Sequence, residues 1–192
     1  MINERIEIWK KEEYHYPAAH GFIPVMFSYI HEDEKKHPAM IIAPGGAYRE
    51  VSPSEAHLPA MEFYGAGYNV FVLEYTINQL DEAPLKMQPL HDISRAIRMI
   101  RSRAEEFHIR PDRIAVCGFS AGAHLCGSLC VHNKDVEDPE EAYQNISNRQ
   151  MRRFCLIRSS LQENMHTEIH LSHCLEKSRQ SRNWTICRWK IM

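Results

Sequence analysis

The residues whose types and spacing suit chemistry best are Gly118-Phe119-Ser120-Ala121-Gly122. A serine with glycine two positions away on either side fits a sharp strand-to-helix turn, which presents the hydroxyl at its tip while the glycines leave room for close packing. Three fixed residues occur by chance about once in fifteen chains of this length, given ordinary glycine and serine usage, so context decides. Arg113-Ile114-Ala115-Val116-Cys117 reads as a buried strand, and the segment through Leu125 and Leu129 as a helix of small residues. Strand, serine turn and helix come in the order the chemistry needs. Ser120 is the candidate nucleophile, with Gly118 and Gly122 forming its elbow; an ordinary serine in a βα turn is the alternative.

Attack by a serine on a carbonyl places negative charge on oxygen, which needs N–H donors already aimed at it. The Ala121 N–H, at the positive end of the following helix, is one. A second set follows the apolar run Ala39-Met40-Ile41-Ile42-Ala43, in Pro44-Gly45-Gly46-Ala47-Tyr48. Glycines there let the backbone bend toward a substrate, so Gly46 and Ala47 are candidate oxyanion donors. A tight turn with no further role is the alternative.

The elements that must position these residues are legible from periodicity. Ile6 and Ile8 alternate with charged residues, and Ile23 to Ile30 suits a second strand, giving a hairpin-like start. Ala39–Ala43 and Asn69–Tyr75 are continuous apolar runs, as in strands buried on both faces. Between them a helix is predicted from Ser54, its cap, through Ala60, Met61 and Phe63 to Gly65 and Gly67. Leu90, Ile93, Ile97, Ile100, Ala104 and Phe107 form one apolar stripe on a longer helix, whose other face, with Arg95, Arg98, Arg101 and Glu105, reads as solvated. Strands alternating with helices predict an α/β fold, a mostly parallel sheet with helices on both faces.

Taken together, Pro44–Tyr48, the Asn69–Tyr75 strand and Asp112–Leu125 resemble the acetyl-esterase or feruloyl-esterase-like branch of the α/β-hydrolases, related to the hormone-sensitive-lipase group. The likeness covers roughly residues 20 to 148 and implies a partial α/β-hydrolase fold. Where that group carries His-Gly-Gly-Gly, this chain has Pro44-Gly45-Gly46-Ala47. Alanine keeps its N–H, so the donor survives. The resemblance implies a serine carboxylesterase that hydrolyses esters of small acids, acetylated sugars included, with a small-molecule ester as its partner and no metal or organic cofactor. It also implies a chain order of serine, then acid, then histidine, and no credible acid or histidine follows Ser120 here. Little or no turnover is therefore expected of this chain, with a non-catalytic fragment or binding module as the alternative. His57, His91, His108, His124 and His132 read as core or surface residues rather than stand-in bases, with His124 directed along its helix away from the elbow.

Composition changes near residue 150. Residues 1–149 carry 15 Lys+Arg against 22 Asp+Glu and hold all 8 glycines and all 10 prolines, whereas residues 150–192 carry 8 Lys+Arg against 3 Glu. That second stretch has no Gly, Pro, Ala, Val, Asp or Tyr, although a natural domain needs turn-formers. Residues 1–149 read as the N-terminal part of an α/β-hydrolase domain and 150–192 as an atypical basic tail translated out of frame. Back-translating from Gln150 and dropping two bases gives DAAVLSYP, an apolar strand ending in a turn. Where degeneracy vanishes the shifted frame is still ordinary: Met165-His166 forces Ala, Asn183-Trp184 forces Leu, Trp184-Thr185 forces Asp and Trp189-Lys190 forces Glu. A genuine basic tail is the alternative.

Other classes are disfavoured. A net charge of -2 argues against a nucleic-acid surface, leaving only the tail arginines to suggest one. No apolar run approaches the ~20 residues of a membrane-spanning helix, and no leader is visible at Met1-Ile2-Asn3-Glu4-Arg5, so a cytoplasmic location is expected. The six cysteines form no CxxC pair and read as buried thiols. His166, His170 and His173 have metal-ligand spacing but lie in the anomalous tail and read as no metal site. Oligomeric state is open.

Overall fold

A computed structural model describes residues 1–150 in full and the backbone of 152–157 and 185–188. The strands are β1 (Arg5–Glu7), β2 (Val25–Tyr29), β3 (His37–Ala43), β4 (Asn69–Glu74), β5 (Ile109–Phe119), β6 (Arg152–Ile157) and β7 (Thr185–Arg188). They form one seven-stranded sheet in the order β1-β2-β4-β3-β5-β6-β7. β1 and β2 pair antiparallel, as do β2 and β4; every pairing from β4 to β7 is parallel. The expected α/β sheet is present, and the hairpin-like start is an antiparallel extension of it.

Period-two alternation divides β3 between two cores. Ala39, Ile41 and Ala43 join the cluster on one face, while Met40 and Ile42 join the other. Helix α1 (His57–Gly65) contributes Ala60 and Phe63 to the second cluster, whereas α2 (Gln88–Ser102) and α3 (Ala121–His132) supply the first. Helices thus cover both faces. Ser54 does not cap α1: it lies in a 3-10 turn, Pro53–Glu55, its hydroxyl meets that of Ser52, and Ala56 precedes the helix. Ala60 and Phe63 of this helix are buried, whereas Met61 is 36% exposed.

The arginine face of α2 is the larger correction. Arg95 and Arg98 are buried, at 2% and 6% exposure, not solvated. Arg95 makes a two-pronged pair with Asp138, at 2.7 and 2.6 Å, and its guanidinium lies 4.2 Å from the centre of the Trp9 ring and 4.7 Å from that of Tyr143. Arg98 donates to the carbonyls of Val136, Tyr143, Gln144 and Ile146. Arg101 does the same for Pro111, Ser147 and Arg149. The irregular segment after α3, which includes the short helix α4 (Glu141–Gln144), has few backbone bonds of its own, so guanidinium donors satisfy its carbonyls. Ala104 and Phe107 remain buried but lie beyond the end of α2.

Asp92, fully buried on the same helix, accepts from Trp9 Nε1 (2.8 Å), the Thr76 amide (2.8 Å) and Gln88 Nε2 (2.9 Å). Burial pushes its carboxyl up from the ordinary range, and the bonds from Thr76, Gln88 and Trp9 offset part of that rise. Since the folded state then holds this proton more tightly than the unfolded chain, stability from this group falls as pH rises from the ordinary aspartate value toward the elevated one. Urea titrations from pH 4 to 7 are expected to show a downward contribution that Asp92→Asn removes; an unchanged slope in the variant would contradict this assignment.

Candidate active site

The turn at Ser120 is strained as a nucleophile elbow requires. Ser120 has φ 48 and ψ -114, between the end of β5 and the start of α3, and its side chain is exposed. A non-glycine residue in this region costs about 1–3 kcal/mol and persists only where its surroundings hold it. Here the surroundings are tight. A Cβ on Gly118 would stand 2.3 Å from the Gly122 carbonyl oxygen, and one on Gly122 would stand 1.9 Å from that of Ala43. The first turn of α3 is thereby seated against the C-terminal ends of β3 and β5.

The same contact brings the Pro44–Tyr48 loop to the elbow. A Cβ on Gly45 would lie 3.0 Å from Ser120 Cβ and 2.6 Å from Glu55 Oε2, and the Gly45 amide donates to that carboxylate at 2.9 Å. Gly46, Ala47 and Tyr48 follow with φ of 129, 54 and 61. Arg49 and Glu50 donate back to the Gly46 carbonyl, closing the turn. The N–H groups of Gly46 and Ala47 donate to none of the described residues, and that of Ala121, at the first position of a helix, has no intrahelical acceptor. The three sequence-derived donors and the serine therefore share one end of the sheet, where ligands of open α/β sheets bind.

Two features were missed or misread in the sequence. Glu55 lies ten residues from its partner Gly45, and only the fold joins them. His124 does not point away from the site: its Nδ1 is 2.9 Å from the Tyr48 hydroxyl and its ring meets Tyr48 edge-on at 6.0 Å. Tyr48 also packs edge-on against Tyr75 at 5.7 Å, and the Tyr75 hydroxyl donates to the Pro44 carbonyl at 2.7 Å. Burial, foremost, and the nearby Cys126 push the Tyr48 phenol up to about 12, so it remains protonated at neutral pH.

Among the described residues no histidine side chain is hydrogen-bonded to the Ser120 hydroxyl; the His124 backbone amide alone donates, to the Ser120 carbonyl. His57 meets the Tyr29 hydroxyl at 3.3 Å and His132 meets Asp135 at 3.0 Å. Nor do the described residues contain a cluster of three or more metal-ligating side chains; His166, His170 and His173 lie outside them. Cys117, Cys126 and Cys130 are buried and joined in no disulfide, as expected of them; Cys155, Cys174 and Cys187 lie outside the residues whose side chains are described. No helix among the described residues is long and apolar enough to cross a membrane. Two surface clefts, of about 540 and 260 Å³, involve Arg98 with the 133–148 segment and Trp9 with Arg95; neither is lined by Ser120 or the Gly45–Tyr48 loop.

A parallel sheet carrying a Gly-x-Ser-x-Gly elbow beside a glycine loop defines an α/β-hydrolase, and the BD-FAE family profile matches residues 28–171. The chain belongs to that family of esterase-like α/β-hydrolases. It is 48% identical over 145 residues to endo-1,4-beta-xylanase B of Butyrivibrio fibrisolvens, covering 76% of this chain and 23% of that one. Acetylxylan esterase of Xylanibacter ruminicola is 30% identical over 110 residues, 57% of this chain and 21% of the relative. Among solved structures, an acetyl ester-xyloside bifunctional hydrolase from Caldicellulosiruptor lactoaceticus superposes with a TM-score of 0.70 at 28% identity, over 80% of this chain and 56% of that one. The chain thus spans less than a quarter of these curated relatives and just over half of this solved structure.

Proposed function

We propose that this fold carries a serine carboxylesterase site that removes small acyl groups, acetyl foremost, from an alcohol or a carbohydrate. The observation that carries the reading is the exposed, strained Ser120 beside three unpaired backbone N–H groups. In this mechanism Ser120 Oγ attacks the acyl carbon, and the oxyanion accepts from Gly46, Ala47 and Ala121. Collapse expels the alcohol and leaves an acyl-serine, which water cleaves to the free acid. The names of the xylan-active relatives support an acetylated sugar as substrate, and three buried cysteines joined in no disulfide suit a cytoplasmic setting.

The step that needs more than these residues is proton removal from Ser120. Without a histidine the hydroxyl remains a weak nucleophile, and an incomplete triad retains only about 10³–10⁴-fold catalysis over water. A polypeptide of these 192 residues is expected to show almost no turnover. We place the missing partners in the continuation, past residue 192, of the sequence read in the other frame after Arg149, since the re-read tail itself reaches only the next strand and the beginning of a lid-like segment. Two observations support this. Arg152 and Arg153 occupy register positions beside Ala115 and Val116 in β6, a strand paired on both edges, a place that parallel sheets fill with apolar residues. Gln150 is buried, and neither its Nε2 nor its Oε1 has a hydrogen-bond partner among the described residues. The shifted frame puts Asp-Ala-Ala-Val-Leu there. Resequencing the gene across the codons for Asn148 to Met151 tests this: one extra base is expected. An unaltered sequence would favour the non-catalytic reading of the chain.

A further inference from the structure

Three consecutive residues of the oxyanion loop have positive φ, and two of them, Ala47 and Tyr48, are not glycine. Left to itself such a backbone relaxes to negative φ, which would re-aim the Ala47 N–H. Several contacts hold it. The Asn78 amide donates to the Tyr48 carbonyl at 2.8 Å, and the Gly45 amide to Glu55 at 2.9 Å. These tie the loop to the segment after β4 and to the turn before α1. A hydrogen bond between Tyr48 and His124 ties it to the nucleophile helix. His124 is in turn joined to the elbow, since its amide donates to the Ser120 carbonyl at 3.1 Å, the first bond of α3.

We propose that Tyr48 and His124 form a latch that fixes the oxyanion loop on the helix bearing Ser120, so that both are positioning residues of the esterase site described above. This assignment rests on that reading for its catalytic meaning, but the latch itself is a property of the loop. His124 is exposed and one helical turn beyond the serine, so it contributes little core packing, and its ring is occupied by the tyrosine. The latch acts by coupling: it lets the loop keep its left-handed conformation only while the first turn of α3 is in place. Donor positions and nucleophile then move together or not at all.

Hydrogen exchange on the 192-residue chain tests this without requiring turnover. The amides of Arg49, Glu50, Ser52 and Asn78 all donate to carbonyls of residues 45–48, so their exchange reports opening of the loop. Tyr48→Phe, which keeps the ring against Tyr75, and His124→Ala are each expected to speed these four amides about tenfold while Ile41 and Val72 in the sheet keep their rates. The double variant is expected to exchange no faster than either single one, and His124→Asn, which can still accept from the hydroxyl, to restore most of the protection. Unchanged loop exchange in both single variants would overturn the latch, as would multiplicative effects in the double variant or equal acceleration of the sheet amides. Failure of the esterase reading would show instead as ester hydrolysis indifferent to Ser120, and would leave this pattern of exchange intact.

Discussion

Arg95→Ala is expected to lower the unfolding free energy by about 3–5 kcal/mol, the usual consequence of removing one partner from a buried ion pair. Arg95 and Asp138 are 2% and 3% exposed at their side chains and share two hydrogen bonds. Removing the guanidinium strands a carboxylate in the interior and opens a gap between the Trp9 and Tyr143 rings. The loss also reaches beyond the pair: Asp138 anchors the segment that Arg98 binds through its carbonyls. Urea denaturation followed by circular dichroism checks the figure. Arg95→Met combined with Asp138→Leu is expected to recover much of the stability, because apolar replacement of both partners leaves neither charge of the pair buried without the other. A loss below about 1 kcal/mol for Arg95→Ala would mean that the pair is hydrated and the segment after α3 is held by other contacts.

Gly122→Ala is the second large effect. The added methyl would sit 1.9 Å from the Ala43 carbonyl oxygen and 2.6 Å from that of Pro44, both main-chain atoms that no side-chain rotation can clear. Helix α3 would have to lift from the sheet, carrying the elbow with it. Overpacking of this kind costs about 1–3 kcal/mol and more when backbone must move, so a loss of at least about 3 kcal/mol is expected, together with altered exchange at the elbow. Gly127, on the same helix, has no atom of the described residues outside its own helix backbone within 4 Å of its Cβ position. Gly127→Ala is expected to raise stability by about 0.5–1 kcal/mol through helix propensity alone. Equal behaviour of the two variants would contradict the close approach at Gly122.

The contrast between these sites shows what the sequence made legible. The Ser120 elbow and the Gly45–Gly46 loop could be read in advance because each follows a continuous apolar run, and such runs mark central strands. The burial of Arg95 and Arg98 could not. Period 3.6 identifies which residues share a face of a helix, but not whether a later segment will cover that face. Here the cover is residues 134–149, whose polar sequence gives no periodic signal and which is held by arginine side chains bonded to its carbonyls. His124 was hidden for a related reason. One turn beyond Ser120 its place on the helix was clear, but its partner Tyr48 lies 76 positions away. Tertiary proximity of that kind leaves no local trace, and the same holds for Glu55 and Gly45.

The account also gives residue 150 a physical meaning. Asn148, buried, finds partners for its side-chain amide in the Ser94 hydroxyl and the Asn133 carbonyl. Gln150 finds none among the described residues. This contrast between Asn148 and Gln150 falls within two positions of the change in composition and supports the proposed shift in reading frame there.

The most direct test of the proposed serine esterase is hydrolysis of 4-nitrophenyl acetate and acetylated xylan by protein translated in the other frame after Arg149, assayed beside the same protein carrying Ser120→Ala. The account predicts clear turnover in the first, a loss of at least about 10⁴-fold in the second, and almost none from the 192-residue chain. Turnover that survives Ser120→Ala would contradict it, because the exposed serine at the end of β5 would then not be the nucleophile.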